Sequence, residues 1–163
     1  MAGHGRAAAT PTPPPGAGTS LELVGQVIEV MARVLRHYLP DGEAGPVVAD
    51  ADGTPNISVS IATSGGQIDV VTWVFSPSLA RAVTAAMARG AGLTDCAPVD
   101  AACELANVML GNAAQVLEAA GLALELAPPV VAAVECPDDA SEFTVATPHG
   151  RMRVFIQPGG AIS

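Results

Sequence analysis

Glu104 and Asn107 stand three residues apart in the run Cys103-Glu104-Leu105-Ala106-Asn107-Val108-Met109-Leu110-Gly111-Asn112. On a helix that spacing puts both side chains on one face, about 5–6 Å apart at Cβ, with Gly111 one turn further along the same line. A carboxylate there can accept hydrogen bonds or pair with a cation, and an amide can donate and accept without taking charge. Two residues of this face sit badly in an ordinary helix interior. Gly111 costs about 0.5–1 kcal/mol relative to Ala, so it needs a reason, such as the close approach of another group. Asn107 competes with the helical backbone unless its amide has a task or faces water. On residue types alone, the common use of such residues is a solvated helix face, with the glycine a packing notch against a neighbouring element.

Other groupings point to less. Cys96, Cys103 and Cys136 are odd in number and show no Cys-x-x-Cys spacing, so they argue neither a disulfide framework nor a zinc knuckle and read as small buried apolar residues. His4, His37 and His149 lie far apart, which is no pattern for a metal site. Ser64-Gly65-Gly66 lies between two strand-like runs and has no Lys, so it reads as a hairpin turn rather than a phosphate-binding loop. Ser58, Ser60 and Ser64 have no nucleophile elbow around them that would build a hydrolase triad with His37 or His149. Trp73 falls on a strand and is expected in the core.

The elements that must hold Glu104 and Asn107 are legible as periodicities. A first helix opens at Thr19 with Glu22 three residues on, a capping box, and repeats Val24, Val27, Ile28, Met31, Val34 or Leu35, and Tyr38 before Pro40-Asp41-Gly42 stops it. After a short strand at Val47 to Ala49, Ile57 to Thr63 alternates at period two and Gln67 to Phe75 runs back, which predicts a hairpin. Ser76 caps a second helix with Pro77 in its first turn and Leu79, Val83 and Met87 on its buried side, and Gly90 and Gly92 end it. The third helix, about Pro98 to Ala120, carries the stripe Val99, Ala102, Ala106, Met109, Ala113, Val116, Leu117 and Ala120, with Gly121 as its C′ residue. Strands follow at Ala123 to Ala127, Val130 to Glu135, Glu142 to Thr147 and Arg151 to Gln157, the last two joined through Pro148-His149-Gly150. Hairpins and long helices together argue an α+β domain, an antiparallel sheet built from hairpins with long helices packed against it.

Composition narrows the function classes. Residues 1–18 are mostly Ala, Gly, Pro and Thr with no apolar anchor, a composition expected to be a disordered tail. A net charge of −9 repels nucleic-acid phosphates and anionic membrane surfaces. The longest apolar stretches are broken by Ser76-Pro77, Glu125 and Pro128-Pro129, short of the roughly 20 apolar residues of a spanning helix. No apolar segment follows Arg6 as a secretory signal requires, so the cytoplasm is the expected compartment.

Glu-x-x-Asn followed by x-x-x-Gly-Asn, here Glu104, Asn107, Gly111 and Asn112, resembles the active-site helix of the CheX branch of the CheC/CheX/FliY phosphatases of bacterial chemotaxis. The resemblance extends upstream to Ile57 to Phe75 and Ser76 to Met87, and downstream to Pro128-Pro129-Val130, and makes residues 19–163 one CheX-like phosphatase domain. Cys103 departs from the pattern, standing where members of that family commonly carry Gly. The resemblance implies a hydrolase acting on the aspartyl phosphate of a CheY-like response regulator. Asn107 would position the attacking water, Glu104 would pair with the receiver's active-site lysine, and Gly111 and Asn112 would lie where the partner comes close. It implies no cofactor of the chain's own, since Mg²⁺ sits in the receiver's acidic pocket, and it implies a homodimer. The same fold can also serve as a non-catalytic module for receiver binding or dimerisation, or as a small-ligand binding domain.

Overall fold

The structure is a computed structural model that describes residues 21–39, 55–91, 96–131 and 139–159. The tail at 1–18, the Thr19 cap, the Pro40-Asp41-Gly42 stop, the strand at Val47 to Ala49, Gly92 and Cys136 lie outside the described residues. Helix α1 spans Leu21–Tyr38, and its i, i+4, i+8 series Val27, Met31 and Leu35 is buried. Strand β1 (Ile57–Ser64) and strand β2 (Ile68–Phe75) form the expected antiparallel hairpin, in register from Ile57 opposite Phe75 to Ala62 opposite Val70. Helix α2 spans Pro77–Ala91. The Leu79 N–H points at Ser76 Oγ at 3.4 Å, the side-chain cap that a serine before Pro77 suggests. Gly90 does not end this helix, which continues through it to Ala91.

Helix α3 spans Pro98–Ala119 and is the longest element. It closes on Gly121, whose φ of 84° is the left-handed value that favours glycine. The Leu122 N–H donates to the Leu117 carbonyl at 2.8 Å and the Gly121 N–H to that of Glu118 at 2.9 Å, the paired bonds of a Schellman motif. Its buried sector is wider than a single stripe, because α1, α2 and the sheet all contribute to the core it faces. Ala101, Leu105 and Leu110 join Ala102, Ala106, Met109, Ala113 and Leu117 inside. Val99 and Ala120, placed on the stripe by periodicity, are exposed, since they lie in the terminal turns.

The remaining strands are β3 (Glu125–Leu126), β4 (Val130–Val131), β5 (Ser141–Thr147) and β6 (Gly150–Pro158). The strand expected at Ala123 to Ala127 shrinks to two residues and, within the described residues, the one expected from Val130 does too. Pro128-Pro129 between them has no N–H to give the ladder. The six-stranded sheet runs β3-β1-β2-β6-β5, with β4 also on the outer edge of β1. Its registers line up Val131, Val59, Trp73, Val154 and Phe143 in one row across five strands. Val59, Trp73 and Val154 of that row are fully buried, on the face shared with the three helices. The next row, Val130, Ser60, Thr72, Phe155 and Glu142, points the other way, as the pleat requires. There Ser60 and Thr72 hydroxyls meet at 2.8 Å, and Arg153 lies over the Phe155 ring and donates to Glu142 at 2.7 Å.

Candidate functional site

The orientation of α3 is set by its core. With Leu105, Ala106, Met109, Leu110 and Ala113 fully buried, the helix can only present Glu104, Asn107 and Asn112 outward, and all three are exposed. Neither the Glu104 carboxylate nor the Asn107 amide has a hydrogen bond or ion pair to another described residue. Gly111 lies beside them, half-buried, and a Cβ added there would meet nothing within 4 Å. It is therefore no packing notch within this chain. Asn112 is differently placed: its amide Nδ2 donates back to the Val108 carbonyl at 2.8 Å, so it is turned onto its own helix.

Cys103 packs against the core cluster while Glu104, the next residue, points out. Cys96 and Cys103 are both half-buried rather than buried, since each lies at the margin where α3 emerges. Burial, then the nearby Asp100 carboxylate, push the Cys103 thiol above its ordinary value, so it stays protonated at neutral pH and is a poor nucleophile. Among the described residues, no group of three His, Cys, Asp or Glu side chains could hold a metal ion. Ser60 is engaged with Thr72 and Ser64 with Glu125, and Ser58 Oγ is buried without a partner, so none of these three serines is paired with a histidine.

Sequence reasoning missed a cleft of about 750 Å³ where the ends of α1 and α2 meet the start of α3. Its lining includes His37, Tyr38, Met87, Asp100, Ala101 and Glu104, but neither Asn107 nor Gly111. Glu104 thus borders both the cleft and the Asn107 face. The one sequence signal was Asp100, a full turn ahead of Glu104 on the same side of the helix.

An antiparallel sheet with its helices on one face and a long helix after the first hairpin and second helix is the fold that this chain shares with solved CheX-like structures. Several of the solved structures it matches are chemotaxis proteins of that fold. CheX from Desulfovibrio desulfuricans superposes with a TM-score of 0.62 at 20% identity, covering 85% of this chain and 100% of that one. A CheC-like superfamily protein from Shewanella sp. PV-4 gives 0.64 at 18% identity, covering 87% and 100%. The CheX–CheY–BeF3–Mg²⁺ complex from Borrelia burgdorferi gives 0.55 at 13% identity, covering 85% and 99%. No sequence profile of a known family matches the chain, and no curated protein does. The fold is therefore established by shape rather than by sequence. No helix among the described residues is long and apolar enough to cross a membrane.

Proposed function

We propose that this protein is a phosphatase that hydrolyses the aspartyl phosphate of a CheY-like response regulator in chemotaxis or two-component signalling. The observation that carries the reading is the face of α3, where Glu104 and Asn107 stand outward and unpaired, beside an open Gly111, on a helix whose other side is core. The occurrence of the same fold in a CheX–CheY complex supports a receiver as the partner. An acyl phosphate is already activated, so the remaining task is to hold a water in line with phosphorus. Asn107 does this as both donor and acceptor. Water oxygen bonds to phosphorus, the bond from phosphorus to the aspartyl oxygen breaks, the receiver regains its carboxylate, and the water's proton leaves with inorganic phosphate. Glu104 pairs with the receiver's active-site lysine, which fixes orientation. Mg²⁺ is the receiver's own and belongs to the substrate. Gly111 leaves room for the receiver's pocket to close on the helix, with Asn112 at the edge of that contact.

On this reading the protein works in the cytoplasm with its receiver, and as a homodimer, whose mass light scattering would give. The deciding experiment is phosphate release from a panel of phosphorylated receivers, with wild-type protein and with Asn107→Ala. Acceleration by the wild type and its loss in the variant support the phosphatase. Equal acceleration by both sinks the role of Asn107, and binding without acceleration makes the chain a receiver-binding module.

A further inference from the structure

We infer that the cleft bordering Glu104 is a second docking point for the receiver, one that admits a basic side chain and so decides which receiver is accepted. The inference rests on the receiver reading above and adds residues to it. Three features of the cleft point to that occupant. The first is continuity: Glu104 forms one rim of the cleft and the near end of the Asn107 face, so a partner seated on Asn107 extends over the opening. The second is charge. Asp100 and Glu104 lie one turn apart on the same wall and face one titratable base in the lining, His37, while Arg36 and Arg89 in the last turns of α1 and α2 are outside the lining. A cation is drawn there and an anion is turned away. The third is the apolar lining: half-buried Tyr38 and Met87 and the buried Ala101 offer surface for methylene groups.

A lysine or arginine satisfies both demands with one side chain. Its aliphatic stem lies along Met87 and Tyr38 while its charged head reaches Asp100. This basic residue is separate from the lysine assigned to Glu104. A cleft of about 750 Å³ has room for the loop that brings it. Asp100, Tyr38 and Met87 are then specificity residues, which touch the partner but not the reacting atoms.

The test uses the full chain and whichever phosphorylated receiver it dephosphorylates. Gly90→Leu fills the cleft from a wall position where an added Cβ meets nothing within 4 Å, so the helix accepts it. Asp100→Arg reverses the charge at an exposed site, and Asp100→Glu restores it. Each of the first two is expected to raise KM about tenfold, with the loss falling on KM rather than kcat and with the fold retained, since Gly90→Leu adds a helix former and Asp100→Arg loses only a first-turn acid of α3. Asp100→Arg should also flatten the rise of KM with salt, and Asp100→Glu should recover most of the wild-type KM. A wild-type KM in both Gly90→Leu and Asp100→Arg overturns the inference and leaves the phosphatase reading standing. A wild-type protein that neither binds nor dephosphorylates any receiver overturns both.

Discussion

Setting Glu22 of α1 against Glu104 of α3 aligns the two helices through their interiors: Leu23 falls on Leu105, Val27 on Met109, Met31 on Ala113 and Leu35 on Leu117. Apart from Leu23, which is half-buried, all of these are at most 1% exposed. The halves also agree in plan, because a long helix precedes a hairpin in each, and the four hairpin strands lie in the order β1-β2-β6-β5, with β3 and β4 outside β1. Their outward faces differ. Gly25 stands where α3 has Asn107, and Glu29 where it has Gly111, all but Gly111 exposed. Packing against a common core constrains the inward residues of both helices, whereas nothing inside the fold asks for an amide or a glycine on the outside of α3. Residues that the fold does not explain are the ones to assign to a partner.

The largest effects should be shared by the halves. Leu35→Ala and Leu117→Ala each leave a void in the same core and are expected to cost about 2–5 kcal/mol in denaturant unfolding. A near-neutral result for one would break the equivalence. Next, the halves should separate in activity. Asn107→Ala is expected to slow receiver dephosphorylation on the order of a hundredfold with little change in receiver affinity, because the lost interaction acts in the transition state. Asn107→Asp should be about as damaging, since it sets an anion against the phosphoryl oxygens. Glu104→Gln should weaken receiver binding, whereas Glu22→Gln should do nothing measurable by titration or turnover. The smallest effect is the most discriminating. Gly25→Ala and Gly111→Ala add a methyl that meets nothing in the chain, so both should raise stability by about 0.5–1 kcal/mol. Only Gly111→Ala should slow turnover, and equal activity in the two would remove the case for close approach at α3.

Much of this was legible in the sequence because its signals are local. Period-two alternation at Ile57 to Thr63, the turn at Ser64-Gly65-Gly66 and the C′ glycine at Gly121 each specify geometry within a few residues. The outward setting of Glu104 and Asn107 followed from the Ala and Met stripe on the other side of the helix. What was not legible depends on where neighbours stop. Periodicity gives the side of α3 on which Val99 and Ala120 fall, but not that the core ends short of them. Pairing of β3 and β4 depends on how far β1 reaches past Pro128-Pro129, and the half-burial of the cysteines on the edge of a helix contact. The cleft is built from His37 and Tyr38, Met87 and Gly90, and Asp100 to Glu104, three segments brought together only by tertiary packing.

The central seam of the sheet has a consequence for biosynthesis. β2 pairs with β1, close by in sequence, but its other edge is closed only by β6, where Trp73 meets Val154 roughly half the chain away. As the chain leaves the ribosome, Val70 to Phe75 is made well before β6 and must wait with an open, apolar edge until β6 has been synthesised. Non-local closure of this kind is slow, and during the wait the nascent chain is a target for chaperones or for pairing with another copy of itself. A chain stopped just before Gly150 should accordingly show no cooperative thermal transition, however well its helices form, and a sharp melt from that fragment would mean that the first hairpin and helices make a folding unit of their own.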